Sequence, residues 1–149
     1  MKVEIIILDE RVHEVGVPDY ATSGSAGMDL RSLEEVSLGA GGSHQFKLGW
    51  KMNMGSHQMC GLLAPRSSLG VRGSHLSNIV GIIDSDYQGE LIVSLTNNSS
   101  HPEPYVIQVG ERIAQLVFMP VEFVSWSPVA EFSYHTTRGE GGFGSTGKK

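Results

Sequence analysis

The sequence predicts an all-β fold, a barrel or jelly-roll-like sandwich. Glycine is abundant at 19 residues and recurs every few positions. Between the glycines lie short apolar or alternating runs of strand length. No stretch sustains i, i+3, i+4 periodicity over several turns, so helices are expected to be minor.

The elements follow in order. Val3–Leu8 is a short apolar run. Between His44 and Met54, Phe46, Leu48, Trp50, Met52 and Met54 alternate with Gln45, Lys47, Lys51 and Asn53. That period of two describes a half-buried strand. Met59–Ala64, Ile79–Ile83, Leu91–Asn97, Tyr105–Val109 and Ile113–Phe118 are further strand-like runs bounded by turn residues, and Val121–Trp126 reads as another short strand. The one expected helix is a single turn near Ser67–Leu69. Apolar content falls from Glu131, which divides the chain into a β-barrel domain over 1–130 and a C-terminal arm over 131–149.

Bulk properties bound the function. The chain has 149 residues, enough for one domain with a core. Its formal net charge of −5 gives no electrostatic footprint for a nucleic-acid polymer. Nucleotides, if bound, would be met singly through Arg66, Arg72, Arg112 or Arg138. The single cysteine, Cys60, excludes a disulfide within the chain and reads as a buried inert thiol. Residues 1–9 are too short and too soon charged for a signal peptide, and no run approaches membrane-spanning length. A soluble protein of a reducing compartment, the cytoplasm, is expected. The 6 histidines show no metal-ligand spacing, and His135 reads as exposed.

Several segments carry chemistry. Gly81-Ile82-Ile83-Asp84-Ser85-Asp86-Tyr87-Gln88-Gly89 reads as a β-hairpin with acidic groups at its tip. Asp84, following an apolar run, is expected to lie partly buried at a strand end, where a carboxylate can orient and deprotonate water. Ala64-Pro65-Arg66-Ser67-Ser68-Leu69-Gly70 offers an arginine fork beside hydroxyls and backbone N–H groups; it fits a phosphate, and equally a surface turn. Ser25-Ala26-Gly27-Met28-Asp29-Leu30 reads as a turn or the start of a strand. In Gly110-Glu111-Arg112-Ile113-Ala114-Gln115-Leu116, Arg112 is either a salt-bridge partner or a ligand contact, and Gln115 faces either way. The tail from Arg138 to Lys149 holds an arginine, the ring of Phe143, glycines and the hydroxyls of Ser145 and Thr146. It is either a solvated terminus or a lid over a phosphate-bearing ligand with a flat ring.

Taken in order, Ala26–Leu30, Pro65–Gly70, Gly81–Gly89, Gly110–Leu116 and Arg138–Gly147 resemble the homotrimeric deoxyuridine triphosphatase (dUTPase) family, and Tyr20–Gly27 looks bacterial. The resemblance implies a jelly-roll-like β-barrel subunit of the dUTPase-like β-clip kind. It implies a homotrimer with active sites shared between subunits, closed by a mobile glycine-rich C-terminal arm. The implied reaction takes dUTP and water to dUMP and pyrophosphate with Mg²⁺, keeping uracil out of DNA and supplying dUMP for dTMP synthesis.

By the same resemblance, Asp84 is the general base for water attack at the α-phosphorus. Tyr87 packs on the deoxyribose and leaves no room for a 2′-hydroxyl. Asn78 and the backbone from Ile79 to Ile83, including Gly81, read the uracil edge. Arg66, Ser67, Ser68 and Gln115 fall on phosphate-contacting positions, although many members have glycine where this chain has Ser68. Arg138 and the Ser145-Thr146-Gly147 backbone hold the γ-phosphate while Phe143 stacks over uracil, and Gly144 is a further substrate-binding residue. Asp29 is an outer-shell residue for metal-bound water, with no protein atom ligating the Mg²⁺ directly. A dCTP deaminase on the same fold is the nearest alternative, and Arg-Ser-Ser-Leu-Gly is typical of that branch. Its proton-shuttling glutamate is replaced here by Ser94. A non-catalytic nucleotide-sensing protein is a further alternative, since fold does not fix function.

Overall fold

The computed structural model describes residues 2–98 and 104–142. Its strands are β1 (Glu4–Ile7), β2 (Asp19–Tyr20), β3 (Met28–Arg31), β4 (Val36–Leu38), β5 (Ser43–Asn53), β6 (Met59–Ala64), β7 (Ser74–Leu76), β8 (Gly81–Ile83), β9 (Glu90–Asn97), β10 (Tyr105–Ile107) and β11 (Arg112–Pro120). Two short helices interrupt them, α1 (Arg11–Val15) and α2 (Ser67–Val71). One sheet has the order β1-β5-β9-β7, a second β2-β3-β11-β6-β8, and β10 pairs with β4 in a small third. Every strand pairing is antiparallel.

A single core joins the two large sheets. Phe46, Leu48, Trp50, Met52, Leu91, Val93 and Leu95 come from the first, and Leu30, Leu63, Ile113 and Leu116 from the second. The period-two face of β5 is all inside, as its alternation requires. The alternation survives an irregularity: the register of β5 on β9 shifts between Lys47 and Lys51, around Gly49 with φ of 72°.

Some expectations are corrected. Val121–Trp126 is not a strand; residues 121–142 form no helix or strand, and Phe123, Val124 and Trp126 are exposed, the last at 92%. Cys60 is half-buried rather than buried. The segment Gly81–Gly89 is not a hairpin. β8 pairs with β6, whereas β9 pairs with β5 and β7, so the segment crosses from one sheet to the other. The helix α1, the strands β2, β4 and β7 and the extent of β3 carry no periodic signal, because segments this short complete no repeat. Among the described residues, no helix is long and apolar enough to cross a membrane.

Candidate active site

The second sheet builds an anion-binding cleft. Asp29 of β3, Gln115 of β11 and Ala64 of β6 are direct cross-strand neighbours and share one face. Pro65 and Arg66 continue from β6, and Ser67 opens α2. Of these, Asp29, Arg66, Ser67 and Gln115, together with Ala21, Ser25, Ala26, Gly27 and Arg112, line a cleft of about 250 Å³.

Asp29 organises it. Its side chain is 12% exposed, Arg66 Nη1 contacts Oδ1, and Arg112 Nη1 donates to Oδ2 at 3.1 Å. Two guanidinium groups against one carboxylate leave the cleft with a surplus positive charge. Burial, and after it the like charge of Arg112, push the Arg66 guanidinium below its ordinary value. The Asp29 carboxylate in contact acts in the opposite direction, and an arginine stays charged at neutral pH. Gln115 Nε2 donates to the Pro65 carbonyl at 3.1 Å. Its Oε1 lies so close to Gly27 that a Cβ there would sit 2.8 Å away. The N–H groups of the first two residues of α2 have no intrahelical acceptor, as at any helix start, and of the residues that carry them Ser67 lines the cleft. Charged forks, an amide and unpaired N–H groups around a small polar cleft suit phosphate oxygens.

Arg112 is the residue that period-two reasoning leaves ambiguous. On a regular strand, residues 112 and 115 point to opposite faces. A bulge in β11 opposes Arg112 to Arg31 and Ala114 to Leu30, so the extra residue turns Arg112 onto the face of Gln115 and Asp29. The consecutive buried pair Ile113 and Ala114 marks that bulge.

The other predicted residues lie elsewhere in the single chain. Asp84 follows β8 and is exposed, not partly buried as expected. β8 is three strands from β3, and extending its register sets Asp84 opposite Cys60, four residues from Ala64. At normal sheet spacings this is roughly 14 Å across by 13 Å along. The Tyr87 N–H donates to the Asp84 carbonyl at 3.1 Å, closing a turn that joins the two residues. Asn78 is exposed in a tight turn where Val80 N–H donates to the Asn78 carbonyl at 2.7 Å. Ile79, between them, has φ of 66°, the rarer and strained hand of a γ-turn for a β-branched residue. The Asn78 amide packs over Gly81, and Ile83 is half-buried on β8. Ser68 is exposed and does not line the cleft. Arg138 is exposed and donates to the Gly141 carbonyl at 2.8 Å. Phe143, Gly144, Ser145 and Thr146 lie outside the described residues. Ser94 donates to Ser77 Oγ at 2.9 Å, in a row of hydroxyls that continues to Thr96 and Ser43. Among the described residues, no group of His, Cys, Asp and Glu is arranged to hold a metal ion.

These features define an all-β protein of the jelly-roll-like β-clip class with a phosphate-fitting cleft on one sheet. The dUTPase family profile matches residues 13–147, and the chain belongs to the dUTPase family. It is 46% identical to the deoxyuridine 5′-triphosphate nucleotidohydrolase of Actinobacillus succinogenes, over 99% of this chain and 99% of that protein. It is likewise 46% identical to that of Methylococcus capsulatus, over 99% and 98%. Among solved structures, the dUTPase of Staphylococcus bacteriophage 80alpha with dUpNHpp is similar at a TM-score of 0.83 and 25% identity, covering 98% of each chain. The dUTPase of Staphylococcus aureus phage phi11, in a structure that details coordination of a structural Mg(II) ion, shares the fold at a TM-score of 0.78.

Proposed function

We propose that this protein hydrolyses dUTP to dUMP and pyrophosphate. The observation that carries the reading is the cleft in which Asp29 sets Arg66 and Arg112 beside Gln115 and Ser67, in a chain of the dUTPase family. The guanidinium groups and the α2 N–H groups hold the phosphate chain, and Ser67 stands near the bridging oxygen that leaves. Mg²⁺ carried by the triphosphate neutralises phosphate charge when bound. Both Asp29 oxygens already take guanidinium N–H groups, which suits contact through a metal-bound water rather than direct ligation.

Asp84 takes the proton of the attacking water. Tyr87 walls off the 2′ position of the sugar. Asn78 and the backbone of Ile79–Ile83 read the uracil edge, and the narrow turn leaves no space for a 5-methyl group. The strain at Ile79 supports this, because tight non-glycine turns of this kind are held where geometry matters to function.

Asp84 and the phosphate cleft of one chain stand too far apart to serve one α-phosphorus. A complete site therefore needs cleft and base from different copies, and a homotrimer with shared sites meets that need. Arg138, Phe143, Gly144, Ser145 and Thr146 close the site as an arm. A cytoplasmic setting belongs to the same reading. Deamination of dCTP would need a carboxylate where Ser94 offers only a hydroxyl, already bonded to Ser77. Incubating the purified protein with dUTP, dCTP and UTP in the presence of Mg²⁺ and identifying the products tests the proposal. Release of dUMP and pyrophosphate from dUTP is the expected result; dUTP formed from dCTP, or no turnover, would overturn it.

A further inference from the structure

We propose that Gly89 is a positioning residue for sugar selectivity: the space left by its missing side chain seats the Tyr87 ring. This rests on the reading of Tyr87 as the wall against a 2′-hydroxyl. A Cβ built at Gly89 would lie 2.6 Å from Tyr87 Cζ and 3.0 Å from Cε2, and closer still to the hydroxyl. Gly89 is outside the left-handed region, so its own backbone would accept alanine without strain. The ring, not the backbone, is therefore what forbids a side chain at this position.

The seat is rigid on its other side. The Tyr87 hydroxyl donates to the Glu90 carbonyl at 3.0 Å. Glu90 opens β9 opposite Lys51 of β5, and its Oε1 accepts the Gly49 N–H at 3.0 Å. The ring is thus clamped between the Gly89 backbone and a strand of the main sheet, with 44% of the residue left exposed. Steric rejection of one extra oxygen needs a wall that does not yield, and a ring free to swing would admit the ribose. The turn that ties Tyr87 N–H to the Asp84 carbonyl couples the wall to the proposed base.

The test is kcat/KM for dUTP and for UTP with the full-length protein, its Gly89→Ala, Tyr87→Ala and Tyr87→Phe variants, and the Gly89→Ala/Tyr87→Ala double variant. Gly89→Ala should lower the dUTP/UTP ratio about 10-fold. The double variant should be no less selective than Tyr87→Ala alone, since both act through one ring. Tyr87→Phe, which loses the Glu90 bond, should lower the ratio in the same direction by a smaller factor. A wild-type ratio in Gly89→Ala, or losses that multiply in the double variant, would overturn the proposal while leaving Tyr87 its role. Should Gly89→Ala fail to melt cooperatively, Tyr87→Phe decides, and an unchanged ratio there overturns the clamp. An unchanged ratio in Tyr87→Ala removes Tyr87 as the wall and this proposal with it.

Discussion

Arg112 donates to Asp29 across 3.1 Å, joining the start of β11 to the middle of β3 beneath the phosphate-fitting cleft. Arg66 holds the other carboxylate oxygen. One carboxylate thus keeps two cations at a fixed spacing, and that spacing is what a chain of phosphates would meet.

Asp29→Ala should therefore cost about 2 kcal/mol of stability, part-way between exposed and buried ion pairs, because two guanidinium groups lose their shared partner. Pyrophosphate should stabilise this variant more than the wild type, by replacing the missing anion. Urea denaturation with and without pyrophosphate checks both. Unchanged stability would show that the cleft does not depend on Asp29.

Asp84→Asn should reduce dUTP turnover about 10²–10⁴-fold while binding stays within a few-fold. The side chain is exposed, so the fold should be unaffected. Single-turnover assays and calorimetric titration separate the two effects. Near-normal turnover would take the role of base away from this residue.

Removal of the chain from Arg138 onward should leave a folded protein with little activity. Residues 122–140 are exposed and contribute nothing to the core. Thermal melting and a dUTP assay on the truncated protein make the comparison. Loss of folding would mean that the arm is structural rather than a closing strap.

Gly49→Ala should destabilise by about 3 kcal/mol. The residue has φ of 72°, and a Cβ there would lie 2.6 Å from Leu33 Cδ1 and 2.9 Å from Asp9 Cβ. Its carbonyl accepts both the Leu8 and Asp9 N–H groups, so the backbone has little room to move. A loss below about 1 kcal/mol in urea would contradict this packing argument.

Burial first, then its bond to Glu111, holds the Tyr105 phenol above its ordinary value. The folded chain therefore keeps this proton more tightly than the unfolded chain. The associated stability is complete below about pH 10 and is lost as pH rises through the folded value. Tyr105→Phe should flatten the fall in stability above about pH 10 relative to wild type. Denaturant midpoints from neutral to alkaline pH provide the check, and parallel curves for the two proteins would refute it.

Much of the architecture is legible in the chain. The alternation of β5 from Phe46 to Met54 and the runs that become β6, β9 and β11 give strand positions and buried faces. The phosphate-fitting character of Arg66 and Ser67 follows from residue type and local turn chemistry. Gly81–Gly89 shows the limit: apolar runs around a turn look alike whether their strands pair with each other or with strands of different sheets. Only the partners of β8 and β9 decide that.

By itself, the amino-acid order determined the β class, the inward face of the long strands and the chemical types available for a nucleotide, because side-chain alternation and turn preferences are local. Tertiary structure decided that a bulge brings Arg112 over Gln115, that Asp29 links two arginines, and that Asp84 lies on the far side of the sheet from them. These are matters of strand register and sheet order, set by pairings between residues distant in the chain, and no local pattern encodes them.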